Sequence, residues 1–109
     1  MKKIEAYIKP FRSTAVREAL LGAGVRYISI HEVQETGHEK HQELYRGNKY
    51  DVDYTPLAVL TMIVDDELVD NLVDVIRGHA RTGNDGDGKI VIVPVEKIYS
   101  VDLADHPPA

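Results

Sequence analysis

The sequence predicts an α+β sandwich in which two helices cover one face of a four-stranded antiparallel sheet. Three observations lead there. Short runs near both ends and in the middle of the chain have strand-like apolar patterns. Two stretches between them repeat apolar residues at helical spacing. Their order is β-α-β-β-α-β over residues 1–97, leaving residues 98–109 as a tail.

Residues 3–9, KIEAYIK, put Ile4, Ala6 and Ile8 on one side and Lys3, Glu5, Tyr7 and Lys9 on the other. That alternation is a strand with one apolar face, and Pro10 ends it. Ser13 is placed to cap a helix that carries Val16, Ala19, Leu20 and Ala23 on one side, with Gly22 and Gly24 as stop signals. Residues 25–33, VRYISIHEV, read as the second strand.

Residues 34–54 hold five carboxylates and three tyrosines without a sustained period, and read as a long loop. Loops beyond about 12–15 residues in a compact domain are usually functional or disordered. Pro56 then opens a third strand, LAVLTMIV. Asp65 or Asp66 caps a second helix with Leu68, Val69, Leu72, Val73, Ile76 and Ala80 on its apolar stripe. Its acids lie at the start and Arg77, His79 and Arg81 near the end, which suits the helix dipole. A glycine-rich loop at 81–89 leads into a fourth strand, KIVIVPVEKI. This is the ferredoxin-like arrangement. Strands three and four are apolar at nearly every position, so they expect burial on both faces. With no third layer in the chain, a homo-oligomer is expected; the alternative is a monomer with a patchy exposed face.

The 109 residues suit one domain, and the net charge of −5 argues against a nucleic-acid module, which needs a basic patch. The absence of cysteine excludes disulfides, thiolate metal sites and cysteine nucleophiles. No apolar run approaches the roughly 20 residues of a membrane span, and the N-terminus carries no signal-peptide core. These features predict a cytoplasmic domain without direct membrane insertion.

Residues 83–89, GNDGDGK, fit the letters G-x-x-x-x-G-K of a nucleotide-hydrolysing P-loop. A P-loop follows a strand and opens a helix, and a Ser or Thr after its Lys binds magnesium. Here the order is helix, loop, strand, and Ile90 follows Lys89, so the hydrolase reading fails on both counts. What survives is an anion cradle: Gly83, Gly86 and Gly88 can turn successive N–H groups toward one phosphate, with Lys89 adding a positive charge. The plainer alternative is a turn rich in glycine for steric reasons, with Asp87 as a turn former.

Other clusters are less specific. His38 and His41 stand three apart in a loop, unlike the i, i+4 pair of H-E-x-x-H, so a solvated polar loop is favoured over a metal site. Asp65, Asp66, Glu67, Asp70 and Asp74 read as a solvated acidic helix face. Tyr45, Arg46, Tyr50 and Tyr54 suit partner docking, since Tyr and Arg are favoured interface anchors. No catalytic site is legible.

Four stretches, in order, carry a resemblance: MKKIEAYIKPF with VREAL, ELYRG-x-x-Y in the long loop, VDDELVD on the second helix, and ARTG-x-x-GDGKI in the glycine loop. Across nearly its full length the chain resembles the PII signal-transduction family. The resemblance implies a homotrimer binding adenine nucleotides in clefts between subunits. The long loop at about 36–54 corresponds to the family's T-loop, which changes shape with ligand and docks onto targets, membrane transporters among them. The glycine loop corresponds to the B-loop, and the C-terminal segment lies on the neighbour's nucleotide. By the same resemblance, Gly86, Asp87, Gly88 and Lys89 cradle phosphates, Tyr7, Ser29 and Ile63 lie near the nucleotide, and Gly37 sits where the loop leaves the cleft. Tyr50 matches a tyrosine that some nitrogen-sensing members have uridylylated.

The departures from the family pattern point further. By position Leu57, after Pro56, replaces a lysine that contacts the terminal phosphate and the 2-oxoglutarate site. Two arginines that reach the neighbour's phosphates align with Ser100 and Asp102. A glutamine that helps hold magnesium becomes Glu39 or moves. Each charge-assisted phosphate contact is worth about 1.5–3 kcal/mol, so losing three cations should weaken γ-phosphate binding most. The expectation is a non-enzymatic regulator with ADP or AMP favoured over ATP and no 2-oxoglutarate sensing. The resemblance then leans to branches tied to carboxysome and inorganic-carbon genes, with bicarbonate as second ligand at Gly37, His38 and Lys40. The alternatives are a nitrogen-regulatory member sensing ATP, ADP and 2-oxoglutarate, a slow nucleotide hydrolase, and a scaffold trimer without ligand.

Overall fold

The computed structural model describes residues 1–37, 41–45, 48–52 and 54–102, and of 41–45 and 48–52 the backbone alone. Eight elements follow in order: β1 (Lys2–Ile8), α1 (Ser13–Gly22), β2 (Ser29–Glu35), β3 (His41–Tyr45), β4 (Asn48–Val52), β5 (Thr55–Val64), α2 (Val69–Ala80) and β6 (Gly88–Pro94). The main sheet has the order β2-β5-β1-β6, antiparallel throughout. This is the ferredoxin-like sandwich expected from the pattern. Its core lies between the sheet and the helices, where Ile4, Ala6 and Ile8 of β1 meet Leu60 and Met62 of β5, Val16 and Leu20 of α1, and Leu72 and Ile76 of α2.

The alternation in β1 sets the register. Ile4 faces Met62 and Ile92, and Ala6 faces Leu60 and Ile90, so each row of the helix side stays apolar. On the other side one row runs His31, Val59, Tyr7, Lys89 across all four strands. The sequence leads one to expect both late strands to be buried on two faces, and the structure separates them. Central β5 is buried on both: on the face away from the helices Leu57, opposite Val33, and Val59, between His31 and Tyr7, are both buried. Edge strand β6 has one neighbour, so Val91 and Val93 are only half-buried and Ile92 is exposed.

Several boundaries differ from the sequence reading, each for a local reason. Residues 34–54 do not form one structureless loop, because β3 and β4 pair as an antiparallel hairpin from His41↔Val52 to Tyr45↔Asn48. No apolar alternation marked these strands, since two-stranded pairing needs no buried face to set its hydrogen bonds. Ser13 does not cap α1; its hydroxyl donates to the Pro10 carbonyl oxygen at 2.8 Å, and a short 3-10 turn at Pro10–Arg12 precedes the helix. Neither Asp65 nor Asp66 caps with its side chain. Asp66 instead lies 2.8 Å from the N-terminal ammonium and 3.4 Å from Lys2, and the bond to that ammonium holds its pKa below the usual value. Strand β2 starts at Ser29 and β6 stops at Pro94, both narrower than the apolar runs suggested.

Substituting Leu60→Ala removes a fully buried side chain at the centre of this core and should cost about 2–5 kcal/mol. Ile92→Ala, on the edge strand and 38% exposed, should cost less than half of that. Urea unfolding of both variants at one fixed protein concentration checks the ranking.

Candidate functional site

The glycine loop begins where α2 ends. Arg81 takes extended backbone angles after the last helical turn, and Gly83, Gly86 and Gly88 then adopt left-handed φ values of +85°, +79° and +124°. Side-chain bonds close the loop on itself. The Asp87 carboxylate accepts from the Thr82 amide at 2.8 Å, from the Gly83 amide at 3.1 Å and from the Thr82 hydroxyl. Lys9, just beyond β1, lies 3.1 Å from that carboxylate and donates to Thr82 Oγ1 at 3.3 Å. Asp87 therefore acts inside the loop, holding its neck closed. Its pKa lies well below the ordinary range, first because of the Thr82 hydroxyl and then the Thr82 amide, with Lys9 and the Gly83 amide adding to the effect.

Gly88 has a second constraint. A Cβ built there would lie 1.8 Å from the Tyr7 carbonyl oxygen, so β6 can pack against β1 at this point only with glycine. The amides of Thr82 and Gly83 are committed to Asp87 and that of Asn84 to the Thr82 hydroxyl, so an anion would meet those that follow, where the chain turns through Gly86 and Gly88.

Lys89 comes next. Its ammonium lies 4.9 Å from the centre of the Tyr7 ring and 2.7 Å from Glu35 Oε2, and the bond to Glu35 raises its pKa. Tyr7, Gly88 and Lys89 line an open concavity of about 260 Å³ whose far wall is the last turn of α2, with Arg77 and Arg81. The sequence presents these two arginines only as dipole partners at the end of a helix. The signal that could have found them is their i, i+4 spacing on the turn that runs into the glycine loop.

The structure brings the site residues expected from the sequence into two groups. Tyr7, Gly86, Asp87, Gly88 and Lys89 gather at one end of the sheet, Tyr7 lying beside Lys89 in the ladder. Ser29 pairs with Thr61 and Ile63 with Lys3, on the same sheet face as Tyr7. Ile63 is four residues along β5 from Val59, the partner of Tyr7, a distance of about 13 Å at strand rise. Gly37 is exposed just beyond β2. Leu57 is buried on β5 opposite Val33. Ser100 donates to Asp102 Oδ1 at 2.7 Å, so these two tail positions bond to each other. His38, Glu39, Lys40 and Arg46 lie outside the described residues, as do the side chains of His41, Tyr45 and Tyr50. The bicarbonate, metal and docking readings that use them rest on sequence alone.

Comparison with known proteins gives a consistent picture. A family model described as "Nitrogen regulatory protein P-II" matches residues 1–103. The nitrogen regulatory protein P-II of Haemophilus influenzae is 49% identical over 102 residues, covering 93% of this chain and 91% of its own length. Those of Rhodobacter capsulatus and Azospirillum brasilense are 47% and 43% identical over the same extent.

Ionised Asp87 should fix the local pH response. A folded pKa below the ordinary 3.8 means that its contribution is complete above the unfolded value and is lost as pH falls through the folded one. Amide exchange at Thr82 and Gly83 should therefore stay slow from pH 7 to 5 relative to the intrinsic rate and speed up below about pH 4. In Asp87→Asn it should already be fast at neutral pH. Gly88→Ala should cost about 2–4 kcal/mol in urea unfolding, since φ of +124° and the Tyr7 carbonyl both oppose a side chain.

Proposed function

Because the chain belongs to the nitrogen regulatory protein P-II family, we propose that it is a non-enzymatic regulator whose glycine loop holds the phosphates of an adenine nucleotide. The observation that carries this reading is the loop itself. Its neck is tied by Asp87, its turn is built from left-handed glycines, and Lys89 with Arg77 and Arg81 borders the concavity beside it. Backbone N–H groups with nearby cations suit a phosphate. The loop leads from a helix into a strand and Ile90 offers no hydroxyl for magnesium, which disfavours the hydrolase alternative.

In this reading the cleft forms between copies in a homotrimer. The Ser29 and Ile63 end of one sheet faces the glycine loop of the next, which explains why one chain keeps the two groups apart. The half-buried β6 face and the exposed Ile98 and Tyr99 supply apolar surface for that contact. Residues 36–54 carry the bound state to a target protein. By linkage, target binding changes nucleotide affinity by the same factor.

The relatives' names favour a target in nitrogen regulation over one in inorganic-carbon metabolism. One observation supports a narrower ligand range. Leu57, where relatives in the resemblance carry a lysine, is buried at 4% exposure and offers no charge to a terminal phosphate. ADP or AMP is then preferred to ATP, and 2-oxoglutarate is not a ligand. The inorganic-carbon reading, with bicarbonate at Gly37, His38 and Lys40, follows only if that preference holds.

Calorimetry with AMP, ADP and ATP, each with and without magnesium, tests both levels. The expected result is ADP or AMP binding at least several-fold tighter than ATP, with no heat from 2-oxoglutarate beside MgATP. Micromolar 2-oxoglutarate binding in that mixture would return the protein to the ATP and 2-oxoglutarate sensors. Absence of any nucleotide binding would reject the phosphate cradle and favour a scaffold.

A further inference from the structure

Glu35 and Lys89 stand on opposite edges of the sheet. Glu35 is the last residue of β2, Lys89 the second of β6, and both β5 and β1 lie between those strands. Their side chains nevertheless meet at 2.7 Å, with the ammonium also near the Tyr7 ring. Both side chains are about half exposed, at 44% and 54%. An exposed ion pair between two long side chains is held only weakly, so a stronger anion can displace it. Displacement has a consequence on the β2 side, because residue 36 follows Glu35 directly and begins the segment expected to reach a target.

We propose that Glu35 is the resident competitor for phosphate at Lys89, and that nucleotide entry frees the end of β2 by taking Lys89 from it. The proposal rests on the nucleotide reading above. A carboxylate and a phosphate oxygen make the same demand on an ammonium, a charge-assisted N–H···O contact near 2.8 Å. The lysine therefore serves one at the expense of the other. A nucleotide phosphate carries more charge than the carboxylate and gains the glycine-loop amides, so it wins the exchange, while Glu35 lowers its apparent affinity. A released Glu35 also repels a phosphate held nearby, which drives the β2 end outward. The same pair thus sets affinity and reports occupancy to the segment that follows.

The test compares wild type with Glu35→Gln, using ADP as the probe. Calorimetry should show ADP binding roughly two- to fivefold tighter in Glu35→Gln. Amide exchange at residues 33–37 should be faster in the free variant than in free wild type. ADP should speed exchange there in wild type and leave the variant unchanged. Equal or weaker ADP binding by the variant, while wild type binds ADP, overturns the competition and leaves the nucleotide reading standing. Failure of both proteins to bind ADP rejects the competition and the nucleotide reading together.

Discussion

Strand β5 sits between β1 and β2 with apolar side chains on both faces, and the geometry of every other part follows from that placement. On one face Ala58, Leu60, Met62 and Val64 meet the helices; on the other Leu57 and Val59 are buried as well. A slip of one residue would exchange these two sets and push α2 off its seat. The register also aligns Val59 with Tyr7 and Tyr7 with Lys89, so packing in the middle of the sheet decides where the glycine loop meets it.

That loop depends on two further constraints of different kinds. Gly88 is steric: only a residue without a Cβ lets β6 approach the Tyr7 carbonyl. Asp87 is electrostatic: one carboxylate gathers two amides, a hydroxyl and Lys9. The acid within the GDGK stretch thus has a structural task, leaving cation chemistry to Lys89 and the arginines of α2. The negative charge of Asp87 is tolerated within this loop because its lone pairs are already taken by donors of the loop.

The charges beside the concavity come from separate parts of the fold. Leu57, after Pro56, is buried and uncharged, and Ser100 and Asp102 bond to each other in the tail. Meanwhile Arg77 and Arg81 bring charge from the helix side, and Glu35 draws Lys89 across the sheet. The charge there is therefore set by Arg77 and Arg81 at the end of α2, Glu35 of β2 and Lys89 of β6.

Much of this was legible in the sequence. The alternation in KIEAYIK, the helical stripe ending at Ala80 and the order of elements determined the sandwich, because period and burial are local properties that a chain carries without its fold. The glycines before Lys89 likewise announced left-handed turns, and all three adopt them. Tertiary structure alone decided the rest. Ser13 and Asp66 had the chemistry of helix caps but found partners in a carbonyl and in a chain end that no local pattern reveals. The partners of Asp87 are likewise chosen in space, since Thr82 lies five residues before it and Lys9 comes from beyond β1. Glu35 and Lys89 are fifty-four residues apart in the chain and on opposite sheet edges, so their contact exists only once the sheet has formed. Hydrophobic patterning is read along the chain, but the partner of a polar side chain is chosen in space.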